Sequence, residues 1–216
     1  MGGCVRDLLL KRVPKDWDIA TNATPSEIQK LFPDSVYENE FGTVGVKTES
    51  GIRNSAFAKA MADRQELGET KVVEVTTYRQ EGKYTDKRHP DEIVFAKTIE
   101  EDLGRRDFTI NALALSVAEG IATKIVDPYG GQEDLKNKVI RTVGNPDERF
   151  NEDALRLLRA VRFAAELGFS IEPNTNAAIK QRAGLLAMIA KERVRDELIK
   201  LIMKKRVDGN SAKGLS

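Results

Sequence analysis

Two carboxylates stand two positions apart in the segment KDWDIAT, residues 15–21. The segment is predicted to be a strand, in which residues i and i+2 share a face, so Asp16 and Asp18 would project together. Clustered carboxylates repel each other unless a cation lies between them, and Mg²⁺ prefers carboxylate oxygen. A metal held this way can activate a hydroxyl and stabilise a leaving pyrophosphate. The alternative is a solvated pair at a strand edge, and an Asp-x-Asp pattern alone favours that alternative.

A glycine pair lies just upstream of these acids. Gly2 and Gly3 lead into a helical pattern in GGCVRDLLL, residues 2–10. A glycine turn at a helix N-terminus presents backbone N–H groups to phosphate. A glycine pair is more often a simple turn, but beside two metal-binding acids it predicts a nucleoside triphosphate site.

Arginines recur at three-residue spacing in EDALRLLRAVR, residues 152–162. Arg156, Arg159 and Arg162 would form a curving stripe along one helix, which on composition alone indicates a solvated face. Asp153 precedes Arg156 by three residues, and an acceptor beside a fork of donors suits recognition of a base edge. Arg105 and Arg106 precede a predicted helix and are either a surface pair or a triphosphate contact.

The elements that must position these residues follow from pattern and capping. TPSEIQKL (24–31) carries a capping box with Pro25 at the first helical position. FGTVGVKT (41–48) and KVVEVTTYR (71–79) alternate like paired strands, whereas 98–115 is predicted to be a loop entering a helix. From residue 148 the pattern changes to two long amphipathic helices, one over 148–169 and one over KERVRDELIKLIMKK. These patterns predict an α/β head over 1–144, a helical neck over 145–205 and a disordered tail over 206–216.

Composition excludes several classes of site. The 216 residues contain one cysteine and one histidine, so an intrachain disulfide, a cysteine zinc site and histidine-based catalysis are not expected. Lys+Arg (35) and Asp+Glu (34) nearly cancel, so net charge does not indicate a nucleic-acid partner. No apolar run is long enough for a membrane span, which predicts a cytoplasmic protein with no membrane partner. The chemistry must therefore come from Asp, Glu, Arg and Lys.

Six motifs occur in one order: GGCVRDLLL, DWDIAT, RRDFTINALA, DPYGGQEDL, EDALRLLRAVRFAAELGF and KERVRDEL. This series resembles the motifs of class II tRNA nucleotidyltransferases, the CCA-adding enzymes and their poly(A) polymerase relatives. The resemblance covers about residues 2–205, apart from 51–70. It implies an α+β fold, with a nucleotidyltransferase head built on a mixed or antiparallel sheet and followed by an all-helical neck. It also implies Mg²⁺ as the cofactor and the addition of CMP and AMP, from CTP and ATP, to a tRNA 3′ end without a template.

The same resemblance implies a role for each matching residue. Asp16 and Asp18 match the catalytic metal-binding pair, and Glu74 is a weaker candidate for a third acid. The positions that match nucleotide-binding residues are Gly3, Arg6 and Arg106 on the triphosphate, Asp153 and Arg156 on the base, and Arg159 and Arg162 beyond them.

The chain also departs from the family pattern. The strand that usually leads into the glycine pair is absent, which predicts that the native N-terminus lies upstream. Residues 51–70 interrupt a usually tight hairpin, and no tRNA-binding body follows residue 205.

The segment 81–95 resembles the flexible loop of enzymes that add CCA or only A, and the GRRF-like stretch of poly(A) polymerases is missing. CCA addition is therefore the predicted function. Addition of A only, poly(A) synthesis and a non-catalytic nucleotide- or RNA-binding module remain as alternatives.

Overall fold

The computed structural model describes residues 1–14, 16–37, 42–48, 71–81, 93–118 and 121–203. The described residues form eight α-helices: α1 (Gly3–Leu9), α2 (Pro25–Leu31), α3 (Ile99–Gly104), α4 (Gly131–Asn137), α5 (Pro146–Glu152), α6 (Leu155–Leu167), α7 (Pro173–Arg182) and α8 (Lys191–Met203). They also form ten strands: β1 (Ile19–Thr21), β2 (Ser35–Tyr37), β3 (Thr43–Thr48), β4 (Lys71–Thr77), β5 (Arg79–Glu81), β6 (Ile93–Phe95), β7 (Ala114–Ala118), β8 (Ile121–Val126), β9 (Val139–Ile140) and β10 (Ser170–Ile171). The α+β class predicted from sequence is confirmed.

A mixed four-stranded sheet carries the N-terminal part, in the order β1-β4-β3-β2. β1 runs parallel to β4, and the remaining pairs are antiparallel. The pairing of β3 with β4 confirms the two alternating segments as neighbouring strands. Helix α2 covers one face, where Ile28 packs with Val44 and Val46.

Helix α2 begins as its sequence predicts. The Thr24 hydroxyl accepts from the Glu27 backbone N–H, and the Glu27 carboxylate accepts from the Thr24 N–H, which completes the capping box. A box of this kind satisfies two donors that a helix start would otherwise leave without partners.

The segment around Arg105 and Arg106 differs from the prediction of a loop entering a helix. Helix α3 precedes the arginines, and a single 3₁₀ turn over Thr109–Asn111 follows them. The helix begins at a second capping box, formed by Thr98 and Glu101. The two arginines therefore lie at the end of a helix and not before one.

The predicted single helix over 148–169 is also wrong, because it divides at Asp153. Helix α5 ends at Glu152, and Asp153 is extended with φ −139°. Its carboxylate accepts from the Leu155 N–H at 3.0 Å, at the start of α6. An aspartate that bonds to the backbone two residues later favours a helix start over a helix interior, so the chain makes two helices.

One apolar core joins the N-terminal part to α6. Cys4 and Val5 of α1 share it with Phe108, Ile110 and Leu113, and α6 contributes Ala160, Phe163 and Leu167. A short parallel pairing of β9 with β10 adds a backbone link between the same regions. The helix predicted over 191–205 is confirmed as α8 as far as Met203.

Three sequence interpretations fall outside the described residues: the insertion at 51–70, most of the loop at 81–92 and the tail at 206–216. In the part of the chain that is described, no helix has both the length and the apolar character needed to cross a membrane.

Candidate nucleotide and metal site

The predicted metal pair lies just before β1. The prediction that Asp16 and Asp18 are strand residues is wrong, because β1 begins at Ile19. Both carboxylates are exposed. In the β1–β4 register Ile19 is opposite Val75, so Asp18 and Glu74 each directly precede a residue of the first paired position.

The described residues contain no group of three or more His, Cys, Asp or Glu side chains close enough to hold a metal ion. Glu74 is thus not brought into such a group. Two exposed carboxylates nonetheless suit Mg²⁺, which keeps several waters and is bound by one or two carboxylates together with substrate phosphates. The donor set at Asp16 and Asp18 fits that ion.

At Gly2 the predicted phosphate-binding turn lies close to Asp18, a predicted metal ligand, and to the side chain of Arg106. The Gly2 φ of +77° is in the region that favours glycine. A Cβ added there would lie 2.2 Å from Nη1 of Arg106 and 3.5 Å from Oδ2 of Asp18. The absence of a side chain at Gly2 therefore gives Arg106 its place beside Asp18.

Asn111 connects the two sides of this region. Its Oδ1 accepts from Nη1 of Arg6 at 2.8 Å, and its Nδ2 donates to Oδ1 of Asp107 at 3.1 Å. Its backbone oxygen accepts from Nη1 of Arg106. Asp107 in turn accepts two hydrogen bonds from Arg159, at 2.8 and 2.6 Å. A continuous polar network thus runs from α1 to α6, and it places Arg6, Arg106 and Arg159 around one segment.

The charge of Asp107 is stabilised by this network. Burial alone would raise its pKa, but Arg159 and the hydrogen bonds from Asn111 and Arg159 lower it from 3.8 to about 2. The negative charge of Asp107 raises the pKa of Arg159 in return. Asp107 and Arg159 therefore stay ionised as a pair.

Three guanidinium groups surround the ring of Phe163 on α6. The Cζ atoms lie 5.2 Å from the ring centroid for Arg6, 5.3 Å for Arg159 and 4.1 Å for Arg162. Cations at these distances are attracted to an aromatic face. Arg162 also donates to Glu197 of α8 and to Glu166, so its partners lie within the neck.

Asp153 and Arg156 are not partners of each other through their side chains. The Asp153 carboxylate accepts from Nη1 and Nη2 of Arg193, at 3.3 and 2.9 Å. Arg156 is buried, and its Nη1 donates to Glu152 at 2.6 Å and to the Arg149 carbonyl at 3.3 Å. Its Nη2 donates to the Arg105 carbonyl at 3.2 Å, which fixes α6 against the end of α3.

Several residues of this region were missed by the sequence reasoning. Asp107 and Asn111 stand four residues apart in RRDFTINA, a spacing that places two polar side chains on one side of a helical turn. Arg193 stands in KERVRDEL, where Asp196 and Glu197, three and four residues later, would be its expected partners on a helix. Only the structure shows that it reaches Asp153, 40 residues away.

Two family models and several known proteins are similar to this chain. The family model described as "Poly A polymerase head domain" matches residues 1–141, and the one described as "Probable RNA and SrmB- binding site of polymerase A" matches residues 168–208. The chain is 45% identical over 203 residues to a CCA-adding enzyme of Geobacillus sp. (strain WCH70), covering 94% of this chain and 44% of that protein. A Bacillus subtilis (strain 168) CCA-adding enzyme is 44% identical, with 94% and 45% coverage.

Solved structures agree. The Bacillus stearothermophilus CCA-adding enzyme in complex with CTP is similar with a TM-score of 0.73 and 42% identity, covering 93% of this chain and 43% of that one. The Thermotoga maritima CCA-adding enzyme complexed with tRNA gives a TM-score of 0.70 and 29% identity, with 94% and 42% coverage. The chain spans less than half the length of these relatives.

Nucleotidyltransferases of this kind generally use a divalent metal ion, which agrees with the exposed carboxylate pair. The family model covers residues 1–141, which include the Gly2 turn and Asn111. The chain belongs to the family defined by the poly A polymerase head domain, and the relatives that it resembles are CCA-adding enzymes.

Proposed function

We propose that this chain is the catalytic and nucleotide-selecting part of an enzyme that adds CMP and AMP to the 3′ end of tRNA without a template. The convergence of the Gly2 turn, Asp18 and Arg106 supports the proposal, because a glycine turn at a helix start, an exposed carboxylate and a guanidinium group lie together there. The likeness to CCA-adding enzymes solved with CTP, with ATP and with tRNA supports it.

Asp16 and Asp18 would hold Mg²⁺, which when bound lowers the pKa of the tRNA 3′-hydroxyl and stabilises negative charge on the leaving pyrophosphate. The exposure of both carboxylates leaves them open to solvent and substrate. Glu74, which directly precedes Val75 of the β1–β4 register, stays a weaker candidate for a third acid in this proposal.

The triphosphate would lie at the start of α1. The first N–H groups of a helix have no partner within the helix and are available to an anion. Gly3 belongs to this turn, and Arg6 and Arg106 bring positive charge to it. Their charges would stabilise the triphosphate as negative charge builds up during in-line attack on the α-phosphate.

The base would be read by Asp153 and Arg156. Of the five N–H groups of Arg156, Nη1 uses both of its own on Glu152 and the Arg149 carbonyl, and Nη2 uses one on the Arg105 carbonyl. Nε and the second hydrogen of Nη2 have no hydrogen-bond partner among the described residues, and they would be available to a base edge. Asp153, held by Arg193, can still accept because each carboxylate oxygen has two lone pairs. Arg159 and Arg162 are proposed as further nucleotide contacts.

We keep the division into a head over 1–144 and a neck over 145–205 as part of the proposal, together with a cytoplasmic location.

Single-nucleotide extension tests the function. The protein is incubated with Mg²⁺ and either a tRNA lacking CCA or a tRNA ending in CC, with each nucleotide alone and with CTP and ATP together. We expect two C additions followed by one A. Addition of A only to the CC end would indicate an A-adding enzyme, and long A tails would indicate a poly(A) polymerase.

Asp18→Ala should abolish extension, and Asp34→Ala, which removes another exposed acid, should retain it. CTP binding without extension by the wild-type chain would favour the non-catalytic binding module.

A further inference from the structure

Asp102 of α3 is fully buried, and its two carboxylate oxygens are used unequally. Oδ1 accepts from the Arg79 backbone N–H at 3.2 Å and from Nε and Nη2 of Arg105 at 3.1 and 3.0 Å. Oδ2 is buried and has no hydrogen-bond partner among the described residues. A buried carboxylate oxygen without a partner is rare, because leaving it unbonded is costly.

The atom that faces this oxygen is in the same situation. Nε of Arg106 lies 3.8 Å from Oδ2 of Asp102, and it too is buried without a hydrogen-bond partner in the described part of the chain. An N–H···O hydrogen bond measures about 2.7–3.2 Å between heavy atoms, so this contact is an ion pair that stops short of one. The two unsatisfied atoms face each other and no other described group satisfies either.

Asp102 also supports the charge of Arg106. Burial lowers the pKa of the Arg106 guanidinium, and among the groups that oppose this effect Asp102 is the strongest, ahead of Asp18 and Asp107. The contact is on the Nε side of the guanidinium, whereas Nη1 lies against the Gly2 turn beside Asp18. Asp102 therefore contacts the Nε side of the Arg106 guanidinium, whereas Nη1 of the same group faces the candidate site.

We propose that Asp102 is a positioning residue for nucleotide binding, which holds Arg106 from its Nε side against the Gly2 turn and closes to a direct Oδ2–Nε hydrogen bond when a triphosphate binds. The inference rests on the proposed function in one respect, namely that Arg106 contacts the triphosphate. Asp102 itself does not touch the nucleotide, and it acts only through Arg106.

The informative variant is Asp102→Asn. An asparagine keeps the size of the side chain and one acceptor for Arg79 and Arg105, but its NH₂ group would face the Nε–H of Arg106. We expect the apparent KM and Kd for CTP to rise about tenfold, as for one lost charge-assisted contact, with base choice unchanged.

Asp134→Asn is the matched control. Asp134 is also a buried acid, paired with Arg141 at 3.1 Å and bonded to Thr109, but it lies on α4. This control should lower stability and leave CTP affinity within about twofold. Equal losses of affinity in the two variants would overturn the proposal.

A double-mutant cycle separates positioning from general structural support. If Asp102 acts through Arg106, the effect of Asp102→Asn on CTP affinity should disappear in an Arg106→Lys background. Independent, additive effects of the two substitutions would contradict the proposal.

The Nε–H signal of Arg106 in a ¹⁵N-correlated NMR spectrum, assigned by its loss in Arg106→Lys, reports on the contact directly. In the wild-type chain it should move to lower field when CTP is added, and in Asp102→Asn it should differ already without nucleotide. If Asp102→Asn does not fold, the wild-type titration still decides, because an unmoved signal at saturating CTP overturns the inference. If the chain binds CTP and shows these shifts but does not extend tRNA, the proposed function fails and the role of Asp102 stands.

Discussion

At Asp107 a single carboxylate accepts from four donors: its neighbour Phe108, the amide of Asn111 and two nitrogens of Arg159. The carboxylate is therefore a junction between α6 and the segment that carries Arg106. The lowered pKa of Asp107 shows that folding stabilises its ionised carboxylate.

The pH dependence follows from the sign of that shift. The pKa of Asp107 falls from 3.8 to about 2 on folding, so its contribution to stability is complete above pH 4–5 and is lost as the pH falls toward 2. The contribution amounts to about 2 kcal/mol. Asp107→Asn should lower the free energy of unfolding by about that amount at pH 7 and by much less near pH 2, measured by urea unfolding.

A suitable control is Asp147→Asn. Asp147 pairs with Arg182, and both side chains are 43% exposed. Removal of an exposed pair should cost roughly 0–1 kcal/mol. If the free energies of unfolding of Asp107→Asn and the wild type differ by the same amount at every pH, Asp107 is not the source of this pH-dependent stabilisation.

Gly2 offers a second prediction for one residue. Gly2→Ala should displace Arg106, because its Cβ would meet Nη1 at 2.2 Å, and CTP binding and extension should be lost. Gly144→Ala is matched to it, since Gly144 also has a positive φ, of +68°, but has nothing within 4 Å of the added carbon. In Gly144→Ala the left-handed backbone conformation costs about 1–2 kcal/mol, but the added Cβ makes no steric clash. Similar CTP affinities for the two variants would show that the contact with Arg106 does not matter.

At the scale of elements, helix starts were predictable and helix interruptions were not. The Thr24 box predicted α2 correctly, and a second box at Thr98 and Glu101 could have predicted α3 by the same reasoning. The division at Asp153 could not be found from periodicity, because the apolar pattern continues through it. There the local bond to the Leu155 N–H and the distant bond to Arg193 decide the backbone.

The helix interruption at Asp153 leads to a prediction for Arg193 of α8, which binds the Asp153 carboxylate. Arg193→Gln would leave the Asp153 carboxylate without its cation while the Leu155 contact remains, so the orientation of Asp153 should become less restricted. We expect incorporation of UMP and GMP to increase relative to CMP and AMP, measured by competitive extension. Arg195→Gln on the same helix, where the arginine pairs with adjacent Asp196 and is 66% exposed, should preserve base choice. Equal misincorporation by both variants would remove Arg193 from base selection.

At the scale of the whole molecule, one apolar cluster and several polar contacts join the N-terminal part of the chain, the predicted head, to α6 of the predicted neck. Two neck arginines, Arg149 and Arg156, donate to the carbonyls of Gly104 and Arg105 at the end of α3. Their positive charges lie where the helix dipole is negative, which adds to these bonds. The motif order in the sequence predicted the family correctly, and the roles of the site residues stay predictions. The long-range partners, such as Asp107 for Arg159 and Asp153 for Arg193, could not be predicted, because they come from segments far apart in the chain.

This shared core predicts that the two parts unfold together. Trp17, the one tryptophan of the sequence, packs against the core cluster and reports on the head, whereas far-ultraviolet circular dichroism reports on the helices of the neck as well. The two signals should give coincident midpoints and slopes in urea. Separate transitions would show that the neck is an independent folding unit.

The position of Phe163 has a practical consequence. One ring contacts guanidinium groups from α1 and from two positions of α6, and its edge-to-face neighbour Phe108 is 5.8 Å away. A fluorine introduced on this ring would sense the electric field of all three cations at once. A single ¹⁹F resonance could therefore follow nucleotide entry, loss of the Asp107 pair and separation of head from neck in one sample, without a label on the substrate.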